Sequence, residues 1–203
     1  MITLMETGQT SLDIGYLGPE GTFTHEAADK FVQILKLQNA NLISIESLEY
    51  LIYCVAKGEV DSAVVPLKNS IAGDYVKTLE GLANHNFKEL SRLELQIVLG
   101  LGIHPDSDVT QITEAQSYPT ALAECSYYLL EHFPSAKTIS VDSTARAMKN
   151  IRDQGLLHVA AIGSAFGISF YGLNLVDNGI ENTDKPNITT FLYLARDVSG
   201  VAK

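Results

Sequence analysis

The chain has 203 residues, 46% of them hydrophobic and 19% charged, with a formal net charge of −10. This is enough chain to bury a core, as one domain or as two lobes of about 100 residues each. The acidic balance, without a cluster of Lys and Arg, argues against a nucleic-acid partner.

The sequence also argues against a membrane protein, a secreted protein and a protein that binds a metal or a nucleotide cofactor. The longest apolar runs are strand-sized, and residues 1–13 are polar, without the apolar block of a signal peptide. We therefore expect no membrane partner, a cytoplasmic location and a loose leader at 1–13. Cys54 and Cys125 stand in apolar contexts without neighbouring metal ligands, which predicts buried, reduced thiols and no metal. No nucleotide loop is present either, so no organic cofactor is expected.

The first predicted strand–helix step carries the most information. A short apolar run at 14–17 ends in the Gly-Pro-Glu-Gly loop at 18–21, and Thr22 or Thr24 can then cap a helix. Such a helix start presents backbone N–H groups at the positive end of the helix dipole. It would suit a carboxylate or phosphate, although most such junctions bind nothing.

The next elements complete a β-α-β-α-β pattern, which is typical of a parallel sheet. A strand at 41–45 is followed by a helix from Ser47 to Gly58 and by a buried strand at 60–66. Asn69 and Ser70 follow at the carboxyl end of that strand, where ligands of open α/β sheets bind. Ser70 is predicted to open a helix through Val76, and both residues could also be caps alone.

The second half repeats the pattern. After an extended stretch at 87–101, Ser117 is predicted to cap a helix with Pro119 in its first turn. Ser143 and Thr144 follow a strand at 136–141, Ser164 follows a strand at 158–163, and a late strand covers 187–194. Hydroxyl-headed helix starts at Thr22, Ser70, Ser117, Ser143 and Ser164 would together form a cleft rich in donors and poor in metal ligands. This describes a binder of small anions.

Five stretches in this order resemble motifs of the prephenate dehydratase family. Residues 15–28 are similar to its opening motif, and 65–73 to its Val-Pro-Ile-Glu-Asn-Ser-x-x-Gly motif. Residues 117–125 are similar to Ser-His-Pro-Gln-Ala-Leu-Ala-Gln-Cys, 143–147 to Ser-Thr-Ala-x-Ala, and 187–191 to Asn-x-Thr-Arg-Phe. The resemblance covers the chain from Gly15 to about Leu194.

The resemblance implies an α/β fold of two lobes, like that of periplasmic binding proteins, with the active site in the cleft between them. Each lobe would be a mostly parallel sheet flanked by helices. The first lobe would comprise 14–92 and 188–203, and the second 93–187. It also implies a homo-oligomer, and because the chain stops at Lys203 the regulatory ACT domain and its feedback control are not expected.

The resemblance further implies that the substrate is prephenate, a small dicarboxylate. Thr189 corresponds to the family residue with a role in expelling the ring hydroxyl and is the expected catalytic residue. The expected substrate-binding residues are Thr22, Lys68, Asn69, Ser70, Ser117, Thr120, Ser143, Thr144 and Thr190.

Several of these positions depart from the family. Thr190 replaces the Arg that holds a substrate carboxylate, and a hydroxyl cannot imitate that bidentate, permanently charged group. Lys68 stands in place of Glu and could supply replacement charge. Tyr118 and Thr120 replace His and Gln.

These departures favour one of two reactions on prephenate. A non-aromatising decarboxylase, as in peptide natural-product pathways, retains the ring hydroxyl, whereas a dehydratase expels it and forms phenylpyruvate. Because the Arg is lost, we expect non-aromatising decarboxylation in preference to dehydration. A non-catalytic sensor or carrier of small anions is the rival from another class, since two-lobed proteins often only bind and close.

Overall fold

The computed structural model describes residues 11–183 and 185–199, which form two sheets with helices packed against them. Most of the predicted leader, residues 1–10, lies outside the described residues. Its last two residues were assigned wrongly, because Leu12 and Asp13 already belong to the first strand. Among the residues described, no helix is long and apolar enough to cross a membrane.

Strands and helices alternate along most of the chain. In order they are β1 (Leu12–Leu17), α1 (Phe23–Leu35), β2 (Ala40–Ile45), α2 (Leu48–Lys57), β3 (Ser62–Asn69), β4 (Gly73–Asp74), α3 (Val76–Asn84), β5 (Phe87–Gln96), β6 (Gly100–Ile103), β7 (Glu114–Ser117), α4 (Pro119–Glu124), α5 (Ser126–His132), β8 (Lys137–Ser140), α6 (Thr144–Gln154), β9 (Val159–Gly163), α7 (Ala165–Phe170), β10 (Asn174–Asn178) and β11 (Ile188–Arg196). A 3₁₀ helix at Val109–Gln111 precedes β7.

The two sheets define two lobes. The first has the order β2-β1-β3-β11-β5, with β4 paired to β3, and the second has the order β10-β6-β9-β7-β8. Parallel pairing joins β1 to β2 and β3, and β7 to β8 and β9, while the other pairs are antiparallel. The predicted two-lobed α/β class is confirmed. Both sheets are mixed rather than mostly parallel, because the strands that leave and re-enter each lobe run against their neighbours.

The crossing between the lobes comes later than predicted. Strand β5 pairs with β11 as far as Gln96, which lies opposite Ile188. The predicted boundary at Leu93 therefore falls inside a strand of the first sheet. The alternating leucines at 93 and 95 indicate a strand, but they do not indicate which sheet receives it.

Local sequence sets four of the seven helix starts in the described residues and the end of α2. Thr22, Ser47, Ser143 and Ser164 each accept a backbone N–H at the start of a helix, and Gly58 ends α2 with a φ of 74°. Two predicted starts were wrong. Ser70 lies in the turn between β3 and β4, and Ser117 is the last residue of β7, so that Tyr75 and Tyr118 precede the helices instead.

Each lobe has its own apolar core. Leu51 and Val55 of α2 pack on the first sheet, and Leu101 and Ile162 lie at the centre of the second. Both cysteines are buried as free thiols, as predicted. Burial raises the pKa of the Cys125 thiol to about 12, which keeps it protonated and unreactive near neutral pH.

Candidate active site

A cleft of about 360 Å³ lies between the two lobes and collects residues from both. The first lobe contributes the loop before α1, the end of β3 and the start of β11, and the second contributes the starts of α4 and α6. Its polar lining residues are Thr22, Thr24, Asn69, Tyr75, Tyr118, Glu124, Asp142, Ser143, Thr144, Asn187 and Thr189. Neither Lys nor Arg is among the described residues that line it.

Thr189 lies at the floor of this cleft in a fixed hydrogen-bond network. Its side chain is only 2% exposed, and its hydroxyl oxygen accepts a hydrogen bond of 2.9 Å from Asn69 Nδ2. The same amide nitrogen donates to Asn187 Oδ1 at 2.6 Å. Asn69 Oδ1 accepts the backbone N–H groups of Ile71 and Ala72 at 2.9 and 2.8 Å, which fixes the orientation of the amide.

This network leaves the Thr189 hydroxyl proton available. Because Asn69 supplies the proton of their shared hydrogen bond, the hydroxyl of Thr189 can donate its own proton to another acceptor. The side chain lines the cleft, so that acceptor can be a bound molecule. The arrangement provides a positioned donor on a rigid strand, which is what stabilisation of a leaving oxygen requires.

Two helix N-termini, one from each lobe, face the same space. Thr22 caps α1 and accepts the N–H of His25 at 3.3 Å, while Ser143 caps α6 and accepts the N–H of Arg146 at 3.0 Å. Thr22, Ser143 and Thr144 all line the cleft. First-turn N–H groups without a helical partner, together with the two dipoles, favour anionic groups here.

The turn before α1 is held in place by His25, a residue for which the sequence predicted no role. Its Nδ1 accepts the N–H of Gly21 at 3.0 Å, and its ring stacks on Tyr16 at 4.7 Å. Burial lowers the pKa of His25, which preserves the neutral acceptor that the Gly21 contact needs.

The lobes touch where this turn meets α7. The hydroxyl of Tyr171 donates to the carbonyl oxygen of Glu20 at 2.8 Å, and Phe166 and Phe170 approach His25 edge-on. A Cβ added to Gly167 would come within 2.4 Å of the carbonyl oxygen of Gly21. A glycine is therefore required for this approach of the two lobes.

Lys68, Ser70 and Thr190 lie elsewhere. Lys68 directly precedes Asn69 in β3, and Thr190 directly follows Thr189 in β11. The two residues are cross-strand partners, and because side chains alternate along a strand they point to the opposite face of the sheet. There they line a separate cavity of about 230 Å³ with Ser70. Lys68 approaches Asp74 at 3.9 Å between exposed side chains. Because Lys68 and Thr190 lie on the face away from the cleft, the expectation that Lys68 replaces a substrate-binding Arg is corrected.

Ser70 and Ser117 have structural partners. Ser70 Oγ donates to the carbonyl oxygen of Pro186 at 3.1 Å and accepts the N–H of Ile188 at 2.9 Å. Ser117 is fully buried, and its hydroxyl donates to the carbonyl oxygen of Ile162 at 2.7 Å. These bonds join segments of the fold, so neither hydroxyl faces the cleft.

Thr120 lines a second cavity of about 490 Å³, here called the side cavity, which also contains Gln96, Val98, Glu181 and Lys185. The side cavity adjoins the cleft, because four residues line both. The shared residues are Ile71, Ile97, Glu124 and Asn187. Thr120 is thus beside the cleft rather than in it.

Several lining residues were missed from the sequence. Asn187 belongs to a quoted motif and could have been included, since it stands two positions before Thr189. Glu124 also belongs to a quoted motif, at 117–125, whereas Tyr75 and Asp142 carried no comparable signal. Their side chains reach the cleft because the lobes fold together, which no local pattern reports.

Known proteins of one family are similar to most of this chain. A family model described as prephenate dehydratase matches residues 14–199. The bifunctional chorismate mutase/prephenate dehydratase of Pseudomonas aeruginosa is 33% identical over 185 residues, which are 90% of this chain and 48% of that protein. The prephenate dehydratase of Bacillus subtilis is 30% identical over 189 residues, which are 92% of this chain and 65% of that protein.

A solved structure has a fold similar to that of this chain. The prephenate dehydratase of Arthrobacter aurescens in complex with L-Phe superimposes with a TM-score of 0.76 at 27% identity. The match covers 91% of this chain and 60% of that one. The chain therefore spans only part of the length of each of these relatives. The extent of the family match, together with these relatives, shows that the chain belongs to the prephenate dehydratase family.

Proposed function

We propose that the chain is a lyase that converts prephenate to phenylpyruvate, with loss of CO2 and water. The observation that carries this proposal is the Thr189 hydroxyl, held by Asn69 at the floor of the cleft with its proton available to a ligand. Family membership supports the same reaction. This reverses the preference drawn from the sequence, which placed non-aromatising decarboxylation first.

The reaction proceeds by linked bond changes in the substrate ring. The bond between the ring and its carboxylate breaks, the electron pair enters the ring, and the bond to the ring hydroxyl breaks as that oxygen takes up a proton. A dry environment around the ring carboxylate promotes the first step. Thr189 would hydrogen-bond to the departing oxygen, where charge develops in the transition state.

The two carboxylates of prephenate would be held by helix starts. Thr22 with the first turn of α1, and Ser143 and Thr144 with the first turn of α6, offer N–H and O–H donors from opposite lobes. Closure of the lobes on a dianion would then use contacts from both. Arg146 lines an adjoining cavity that shares Ser143 with the cleft, together with Lys149, Glu46 and Asp142.

Non-aromatising decarboxylation is the second candidate, and one observation favours it. Tyr118 and Glu124, which line the cleft, stand where the resembled family motif has His and Gln. With these two side chains in place of His and Gln, the cleft could deliver a proton to a ring carbon and leave the hydroxyl in place. The loss of Arg at position 190 no longer favours it, because that position faces away from the cleft.

The test is incubation of the purified protein with prephenate, followed by mass spectrometry and ultraviolet spectra of the product. Loss of CO2 and water with an aromatic spectrum would support the dehydratase. Loss of CO2 alone, without an aromatic ring, would contradict it and support the second candidate. Binding without turnover, measured by calorimetry, would favour a non-catalytic small-anion binding protein.

We propose a cytoplasmic homo-oligomer that acts in aromatic amino acid biosynthesis, or in natural-product biosynthesis if the second candidate holds. Size-exclusion chromatography with light scattering measures the oligomeric state directly.

A substitution at position 190 tests the orientation of the strand. We expect Thr190→Arg to leave the product and the kcat/KM for prephenate within about threefold of the wild type. The new side chain would lie between its cross-strand partners Lys68 and Glu94, on the face away from the cleft. Partly exposed ion pairs of this kind contribute about 0–1 kcal/mol.

The matched control is Lys68→Gln, which removes charge from the same face and should also leave kcat/KM unchanged. A tenfold or larger change in either variant, or a change of product in Thr190→Arg, would mean that this face contacts the substrate.

A further inference from the structure

Thr24 carries a buried hydroxyl in the first turn of α1, and the proposed reaction gives it no role. It is the second residue of the helix, it is only 7% exposed, and it lines the cleft. Within the described part of the chain, its hydroxyl has no hydrogen-bond partner, although hydroxyls buried to this degree normally have one. The hydroxyl is therefore available to a molecule bound in the cleft.

The neighbouring hydroxyl, that of Thr22, is already engaged. Thr22 Oγ1 donates to the carbonyl oxygen of Pro19 at 2.9 Å and accepts the N–H of His25 at 3.3 Å. Since a hydroxyl has a single proton, Thr22 cannot donate to a ligand while the bond to Pro19 is intact. Thr22 thus shapes the start of α1, and the hydroxyl that remains for a bound molecule is that of Thr24.

Two backbone donors lie beside this hydroxyl. The first helical hydrogen bond of α1 joins the N–H of Glu26 to the carbonyl oxygen of Thr22 at 3.0 Å, and the N–H of His25 is capped by Thr22. The N–H groups of Phe23 and Thr24 come before that bond and have no helical partner, and both residues line the cleft. Together with the Thr24 hydroxyl they provide donors at the positive end of a 13-residue helix, which suits a carboxylate.

The surrounding charges favour this end of the cleft for a carboxylate. Neither Lys nor Arg lines the cleft in the part of the chain that the structure describes, so neutral donors and helix dipoles must hold an anion there. Asp142 directly precedes the cap of α6, and Asp142 and Glu124 both line the cleft from the second lobe, where they disfavour an anion. Glu26, the acidic residue in the first turn of α1, pairs with Lys30 at 3.5 Å.

We propose that Thr24, with its own N–H and that of Phe23, binds the carboxylate on the keto-acid side chain of the substrate. This inference rests on the proposed conversion of prephenate, which carries one carboxylate on the ring and one on that side chain. The ring carboxylate loses its charge as it departs as CO2, so strong donors there would stabilise the substrate more than the transition state. The side-chain carboxylate keeps its charge throughout, and the same donors can hold it in substrate, transition state and product. The start of α6, with Asp142 beside it, then faces the ring carboxylate.

The first test is Thr24→Val, which removes the hydroxyl and nearly keeps the shape of the side chain. Loss of a hydrogen bond to a charged group should raise KM for prephenate at least about tenfold, with kcat within about threefold of the wild type. The inhibition constant of phenylpyruvate should rise by a similar factor, because this product retains the side-chain carboxylate and lacks the ring carboxylate. Steady-state kinetics with and without added phenylpyruvate measure both constants.

Two control variants separate binding from packing. Thr24→Ser keeps the hydroxyl and should hold both constants within about threefold of the wild type. Thr138→Val removes an exposed hydroxyl from β8 in the second lobe and should behave as wild type. Because the Thr24 hydroxyl makes no hydrogen bond within the described residues, Thr24→Val should also leave Tm unchanged. A lower Tm with an unchanged KM would make the hydroxyl structural and overturn the proposal.

The remaining outcomes are distinct. With phenylpyruvate as the wild-type product, a KM of Thr24→Val within about threefold of the wild type overturns the assignment and leaves the proposed function standing. A raised KM with an unchanged inhibition constant does the same, because it assigns the hydroxyl to the ring carboxylate.

If the wild type does not convert prephenate to phenylpyruvate, the proposed function fails, and calorimetry with phenylpyruvate tests the site separately. Binding by Thr24→Val that is at least about tenfold weaker would then support the site. Equal binding by the two proteins, or no binding by the wild type, would overturn it.

Discussion

Replacing Thr189 by Val is expected to lower kcat for prephenate by at least about 100-fold. Valine has nearly the shape of threonine, so the change removes the hydroxyl without opening a cavity. The hydroxyl is the polar group that Asn69 positions at the floor of the cleft, and its proton is available to the substrate. Steady-state kinetics with prephenate measure the effect.

The fold should survive this change. Asn69 Nδ2 keeps its second acceptor, Asn187 Oδ1, so the loss of one hydrogen bond should lower the free energy of unfolding by about 1 kcal/mol. Thr189→Ser should retain substantial activity because it keeps the hydroxyl. Thr190→Val is the matched control on the opposite face and should behave as wild type. A Thr189→Val enzyme within tenfold of wild-type kcat would contradict the role assigned to this hydroxyl.

The second large effect is expected at Gly167, where the two lobes approach each other. Gly167→Val should lower the free energy of unfolding by about 2–3 kcal/mol, which corresponds to about 5–10 °C in Tm for a chain of this size. A Cβ at this position would lie 2.4 Å from the carbonyl oxygen of Gly21 and 2.6 Å from the side chain of Met148. The side chain of Met148 can move, but the backbone of Gly21 can do so only by displacing the turn before α1.

Displacement of that turn should also weaken substrate binding, since Thr22 follows Gly21 directly and lines the cleft. We therefore expect a higher KM for prephenate together with the lower Tm, measured by kinetics and by thermal denaturation. Ser169→Val, which places the same side chain at an exposed position of the same helix, should change stability by less than about 0.5 kcal/mol. An unchanged Tm in Gly167→Val would show that the lobes do not require this contact.

Local patterns in the sequence predicted much of the fold. Hydroxyl caps at Thr22, Ser47 and Ser143 and the glycine at the end of α2 follow from backbone groups within one turn of the chain. The same local rule was wrong for Ser70 and Ser117. Their hydroxyls find partners more than 40 residues away, in the segment before β11 and in β9. A serine that follows a strand has both options, and only its distant neighbours decide between them.

Only some of the residues predicted for the candidate site line the cleft, again because distant parts of the chain decide the outcome. Resemblance to a family motif marked Asn69 and Thr189, yet it gave Lys68 and Thr190 the same weight. The alternation of side chains along paired strands separates these pairs onto opposite faces. The side that faces the cleft depends on how the second lobe docks on the sheet.

The sequence by itself determined the two-lobed α/β class, the family and the helix starts that line the cleft. These depend on short-range hydrogen bonds, on hydrophobic periodicity and on motifs of contiguous residues. Tertiary structure alone decided that Lys68 and Thr190 face away, that Gly167 meets Gly21, and that Glu124 lines both the cleft and the side cavity. Each of these facts joins segments that are far apart in the chain, and their proximity arises only when the two lobes pack together.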